Sequence, residues 1–120
     1  MKILIIDDEN IIRRALGRAL ESKGHTVYTA EDAFQGQKLW AELLPDVVFL
    51  DIIMPNKTGP ELVADLKDFL VLNPVVIILM SAYSGDYDTN LAKYKNIDLF
   101  VKKPFDNIFS LVEKAEELVR

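Results

Sequence analysis

Val47-Val48-Phe49-Leu50-Asp51-Ile52-Ile53-Met54-Pro55 is an apolar run interrupted by one acid and stopped by a proline. Four consecutive apolar residues without alternation predict a strand buried on both faces, hence a parallel sheet flanked by helices. An ionised carboxylate at the end of such a strand is costly unless a partner compensates it. The ends of three other apolar runs offer partners. Ile3-Leu4-Ile5-Ile6 leads into Asp7-Asp8, Val75 to Met80 into Ser81, and Leu99-Phe100-Val101 towards Lys103-Pro104. Two acids beside a third repel it, so a cation is expected among them. The pattern predicts an acidic metal pocket with a hydroxyl and an ammonium on its rim.

Working outward, apolar runs and helical patterns alternate five times along the 120 residues. The strands read as residues 2–6, 26–29, 46–50, 75–80 and 98–101. In the first helix Ile11/Ile12, Ala15/Leu16 and Ala19/Leu20 recur at helical spacing, and Gly24 is placed to cap its end. Further helices are predicted over residues 32–43 and 59–71, and from Phe105 to Val119. The fourth, about 86–95, has the poorest apolar face, with Leu91 and Ala92 amid acids and lysines. A helix with so little to bury gains little from docking and is expected to be the most mobile element. Five βα units in one short chain make a single doubly wound α/β sheet. The chain ends where the fifth helix is expected to end, so no output domain is expected within it.

The composition narrows the function. Half the residues are apolar and 28% are charged, ordinary for a globular protein, and the length suits one domain. A net charge of -5 argues against direct nucleic-acid binding, which runs on basic patches. There is no cysteine, which excludes disulfides and thiolate metal sites. No apolar run approaches the ~20 residues of a membrane span, and Asp7 breaks the N-terminal run too early for a signal peptide. A cytoplasmic location is expected.

In a parallel sheet all strand C-terminal ends share one edge, where ligands bind at the topological switch point. Strands one, three, four and five each supply a polar or charged residue there. Strand two supplies none, which is expected if it lies at the edge in the order 2-1-3-4-5. Asp7, Asp8 and Asp51 make a hard oxygen cage suited to Mg²⁺. Zinc is disfavoured, since the only histidine, His25, sits at the start of strand two and reads as a surface residue. Ser81 is placed to donate to a phosphoryl oxygen and Lys103 to neutralise another. Asp51, at the cage mouth, is then the nucleophile that forms an acyl phosphate. Singly, each residue has a plainer reading: a helix cap for the aspartates, a turn hydroxyl for Ser81, a solvated surface charge for Lys103. Their arrival at four strand ends together favours the functional one. Pro55 stops the strand, Gly59 permits a tight turn or close packing, and Trp40, Phe69 and Phe109 read as packing residues. Tyr83, Tyr87 and Tyr94 lie on the weakly apolar fourth segment, where a partner surface is an equal alternative to plain exposure.

Asp7-Asp8-Glu9, Asp51-Ile52-Ile53-Met54-Pro55 with Gly59, Ser81-Ala82 and Lys103-Pro104-Phe105 resemble the motifs of a two-component response-regulator receiver domain, in order and over the whole chain, residues 1–120. The spacings are similar too, with Ser81 30 residues after Asp51 and Lys103 22 after Ser81. The resemblance implies a flavodoxin-like (βα)5 fold, and an Asp51 that takes phosphate from the phosphohistidine of a sensor histidine kinase or histidine phosphotransfer protein. It implies that Asp8 and Asp51 ligate Mg²⁺ directly, that Asp7 acts through water, and that the backbone carbonyl of Ile53 is the third protein ligand. It further implies a cis Lys103–Pro104 bond, an inward movement of Ser81 on phosphorylation, and rotation of Phe100 into the vacated space. The response would reach the surface of the 86–95 helix, strand five and the last helix, through which a homodimer is possible. By the same resemblance, Ile53 and Tyr83 flank the path of the water that hydrolyses the acyl phosphate. Neither orients a water, so a long-lived phosphoryl state is expected.

The chain departs from the family pattern in two places. Ser81 stands for the commoner threonine, and Asn96-Ile97 for a frequent Gly-Ala pair. Other functions fit less well. A haloacid-dehalogenase-like Mg²⁺-dependent phosphatase uses Asp-x-Asp, and position 53 is Ile. A non-phosphorylated interaction module typically loses an acid or the lysine, and this chain has both. A flavin nucleotide's phosphate would be repelled by Asp7-Asp8-Glu9, and no P-loop is present. The expectation is a phosphoacceptor switch rather than an enzyme acting on external substrates.

Overall fold

A computed structural model describes residues 1–82 and 96–119. The expected 86–95 helix and Tyr83, Tyr87 and Tyr94 lie outside the described residues. The strands are β1 (Lys2–Ile6), β2 (Thr26–Ala30), β3 (Val47–Asp51), β4 (Val76–Ser81) and β5 (Leu99–Lys102). They form one parallel sheet in the order β2-β1-β3-β4-β5. Among the described residues the helices are α1 (Asn10–Ser22), α2 (Ala33–Leu43), α3 (Gly59–Asp65), α4 (Lys67–Leu72) and α5 (Ile108–Val119).

Strand residues alternate between two cores. Leu4, Ile6, Val48, Leu50, Ile77 and Leu79 pack with Trp40, Leu62, Val63 and Leu70 from α2, α3 and α4. Ile3, Ile5, Val47, Phe49, Ile78 and Met80 pack with Leu16, Leu20, Leu111 and Val112 from α1 and α5. β1, β3 and β4 are therefore covered on both faces, which explains their unbroken apolar runs. β2 is the edge strand expected from its sequence and is mostly exposed.

Local chemistry sets the boundaries. Asp32 accepts from the Gln35 N–H and caps α2, and Thr58 with Glu61 forms a capping box on α3. The helix expected over 59–71 is two pieces, because Leu66 (φ -94°, ψ 8°) divides its N–H among carbonyls of the preceding turn. The last helix starts at Ile108 rather than Phe105. Asn107 accepts from the N–H groups of Phe109 and Ser110, and Phe105 packs from the preceding turn. Gly24 (φ 89°) follows α1 in the left-handed conformation. Asn96 (φ 71°) adopts the same conformation, which asparagine tolerates.

Three expectations from the sequence are corrected. Phe109 is 48% exposed rather than packed, and Ile11 and Ala15 face solvent, so the buried stripe of α1 runs through Leu16, Ala19 and Leu20. His25 is not a free surface residue. Its Nδ1 lies 3.0 Å from the Met1 amino group and its Nε2 2.7 Å from Glu116 Oε2 on α5.

Candidate functional site

The C-terminal edge of the sheet is where backbone ladders run out and polar side chains take over. The Ile52 N–H donates to the Met80 carbonyl (2.9 Å), carrying the β3–β4 pairing one residue past Asp51. The Lys103 N–H donates to the Ser81 carbonyl (2.8 Å), so the lysine leaves β5 beside the end of β4. The Lys103–Pro104 peptide bond is cis. Gly59 closes the loop after β3: its N–H donates to the Ile52 carbonyl at 2.8 Å, and a Cβ there would stand 2.5 Å from the Asp51 carbonyl oxygen. A glycine is required at this close approach, the packing alternative of the two read from the sequence.

The Lys103 side chain is 4% exposed and gathers three acids from the ends of two strands, Asp7 and Glu9 after β1 and Asp51 at the end of β3. Its Nζ donates to Asp7 Oδ2 at 2.9 Å and to Glu9 Oε1 at 2.7 Å. Asp51 Oδ1 lies 3.4 Å away, an ion pair longer than a good hydrogen bond. Asp7, wholly buried, also accepts from the Glu9 N–H at 2.9 Å, and its carbonyl accepts from Arg13 Nη1 at 2.6 Å. Above them opens a cleft of about 310 Å³ lined by Asp8, Glu9, Asp51, Ile53, Ser81, Ala82 and Lys103.

Burial and like charge dominate the electrostatics. Burial, then the charge of Asp7, lifts the Asp51 carboxyl to a pKa of about 7, with Lys103 opposing the rise. Burial also raises Asp7, although the Glu9 N–H and Lys103 work against it. Burial disfavours the Lys103 charge, but its bonds to Glu9 and Asp7 and the charge of Asp51 outweigh that and push its pKa above the usual lysine range. Carboxylate oxygens of Asp7, Asp8, Glu9 and Asp51 lie within 4.8 Å of one another. This all-oxygen donor set fits Mg²⁺.

The structure thus brings Asp7, Asp8, Asp51, Ile53, Ser81 and Lys103 to one place. Phe100 sits on β5 opposite Leu79 and packs against the core under α2, α3 and α4. Lys102 is exposed where Lys103 is buried, as strand alternation requires. Glu9 was not among the residues expected to act here. A signal was present in the sequence: glutamate is a poor N-cap, and in the structure it occupies that position of α1 without capping it. Its carboxylate serves Lys103 instead.

Residues 3–115 match the family described as response regulator receiver domain. The chain is similar to protein PilG of Pseudomonas aeruginosa, 30% identical over 105 residues that cover 88% of this chain and 78% of that protein. It is also similar to the KDP operon transcriptional regulatory protein KdpE of Escherichia coli, 36% identical over 86% of this chain but only 44% of KdpE. The chain spans about half the length of several such regulators. Among solved structures, response regulator protein TrrA of Thermotoga maritima in complex with Mg²⁺-BeF has a TM-score of 0.83 at 34% identity, over 98% of this chain and 97% of that one.

Proposed function

The chain belongs to the response regulator receiver domain family, the regulatory phosphoacceptor domains of two-component systems, and from that premise we propose that Asp51 is its phosphoacceptor. The donor is the phosphohistidine of a sensor histidine kinase or a histidine phosphotransfer protein. In the transfer the P–N bond of the donor is exchanged for a P–O bond to Asp51, and the imidazole leaves. The observation that carries this reading is the Lys103 ammonium, buried between Asp7 and Asp51 directly beneath an open cleft. A purely structural lysine, already paired with Asp7, has no need of a second buried acid facing a cavity.

Asp8 and Asp51 hold Mg²⁺ directly with the carbonyl of Ile53, and Asp7 acts through water. Both Asp7 oxygens are already engaged by Glu9 and Lys103, whereas Asp8 is open to the cleft, which supports that division. The TrrA complex with Mg²⁺-BeF supports the metal itself. Mg²⁺, when bound, supplies the positive charge that lets phosphoryl oxygens approach these carboxylates. Ser81 and Lys103 contact the remaining phosphoryl oxygens. Ser81 then moves inward and Phe100 rotates, altering the surface of residues 86–95, β5 and α5, which also serves a homodimer. The domain is residues 1–120, works in the cytoplasm, touches neither membrane nor nucleic acid itself, and assists only its own phosphotransfer and dephosphorylation. Among the described residues no helix is long and apolar enough to cross a membrane. Ile53, and Tyr83 by resemblance, shield the acyl phosphate from an oriented water, which makes the phosphoryl state long-lived.

Acetyl phosphate with Mg²⁺ should add one phosphoryl group by mass spectrometry and none to Asp51→Asn. A hydroxylamine-labile phosphate on Asp51→Asn would overturn the assignment.

A further inference from the structure

We infer that Glu9 is the exchangeable partner of Lys103: it occupies the ammonium in the resting protein and is displaced when a phosphoryl group forms on Asp51. The inference rests on Asp51 being the phosphoacceptor. An ammonium has three donors, and here three carboxylates surround it, Glu9 at 2.7 Å, Asp7 at 2.9 Å and Asp51 at 3.4 Å. The contact to Asp51 is too long to hold a donor firmly, and a phosphoryl group there carries more negative charge than the carboxylate it replaces, so the ammonium is drawn towards Asp51 and away from one of its two close partners. Asp7 is wholly buried, and stripping it of the lysine would leave a desolvated charge unpaired. Glu9 has a side chain 55% exposed, so water replaces the lysine there at small cost. Burial therefore decides which bond opens.

The same geometry makes Glu9 a brake. Drawing the ammonium towards the phosphoryl group works against its contact with Glu9, the shortest of the three, so removing that carboxylate should favour the phosphorylated state. Glu9 does not cap α1, so its replacement removes no cap from the helix. It acts on the reaction through Lys103 and is a positioning residue.

The test titrates beryllofluoride, a phosphoryl mimic, at saturating Mg²⁺ by calorimetry, alongside Mg²⁺ alone. Glu9→Ala should bind beryllofluoride about threefold more tightly, the scale of an exposed ion pair. Glu9→Gln, which still accepts a hydrogen bond, should fall between it and the wild type. In a Lys103→Met background the gain from Glu9→Ala should vanish, because the effect runs through the lysine. A gain that persists there reflects the lost negative charge alone and overturns the inference. So does a Glu9→Ala affinity equal to or weaker than wild type, the result expected of a metal ligand, which would also weaken Mg²⁺ binding. Failure of every form, wild type included, to bind beryllofluoride would overturn the phosphoacceptor reading along with it.

Discussion

Two lysine–aspartate pairs of this molecule stand in opposite settings. Lys57 meets Asp65 across the start and end of α3, with side chains 35% and 48% exposed. Lys103 meets Asp7 with side chains 4% and 0% exposed, and a third charge, Asp51, sits beside them. Water can replace either partner of the first pair, so such contacts contribute about 0–1 kcal/mol. The second pair is almost wholly desolvated, and apolar residues of the same volume would often be as stable or more so. Stability alone does not account for the buried cluster. The proposed phosphoryl transfer at Asp51 would account for it.

The strongest way to break this contrast is to remove the central cation. Lys103→Met should cost the metal-free protein about 3–5 kcal/mol at pH 8, because it strands buried carboxylates. The deficit should shrink at pH 5, where the acids, pushed still higher, take up protons. Urea denaturation in chelator at the two pH values measures both. A loss below about 1 kcal/mol at pH 8 would put Lys103 in the same class as Lys57.

The next effect has the opposite sign. Burial and Asp7 lift Asp51 from the ordinary 3.8 to about 7 in the folded chain. The folded state then binds the Asp51 proton more tightly than the unfolded state. Stability from this group is complete below 3.8 and is lost as pH rises through about 7. Asp51→Asn should therefore stabilise the metal-free protein at pH 8, by no more than about 4 kcal/mol. The gain should fade towards pH 4, and Mg²⁺ should narrow it by stabilising the wild type. A variant no more stable than wild type at pH 8 in chelator would mean that Lys103 already neutralises the site.

The same contrast explains what was legible in the sequence. Unbroken apolar runs identify β1, β3 and β4 because burial on both faces leaves no room for polar residues. The acids at the ends of β1 and β3 stand out for the same reason, a charge where the run predicts none. Amphipathic surfaces carry a weaker signal. Ile11 fits the periodicity of α1 yet faces solvent, and Phe109 does so on α5, since exposed apolar residues are common in folded proteins. The break at Leu66 depends on a single residue's ψ and leaves no mark in the hydrophobic pattern. Glu9 was missed because a poor N-cap at a helix start names no partner, and only the fold brings Lys103 to it. His25 was misread likewise, its partners being the chain's first residue and α5.

The smallest predicted effect belongs to the exposed pair, and its size decides whether burial is the true variable. Asp65 closes α3, where the helix dipole disfavours a negative charge, and Lys57 offsets that. Lys57→Ala should thus cost about 0.5 kcal/mol, and adding Asp65→Asn should recover most of it, since the isolated acid is then gone. A double-mutant cycle by urea denaturation gives the coupling, expected below about 1 kcal/mol. In 1 M salt it should nearly vanish, because exposed charges at that ionic strength are screened over about 3 Å. The corresponding cycle on Lys103 and Asp7 should change less with salt, since side chains 4% and 0% exposed are screened much less than exposed ones. If the Lys57–Asp65 coupling proved as large and as salt-insensitive as the buried one, exposure would not separate the two regions. The inference that Glu9 yields before Asp7 would then lose its physical basis, because it rests on exposed partners being cheap to release.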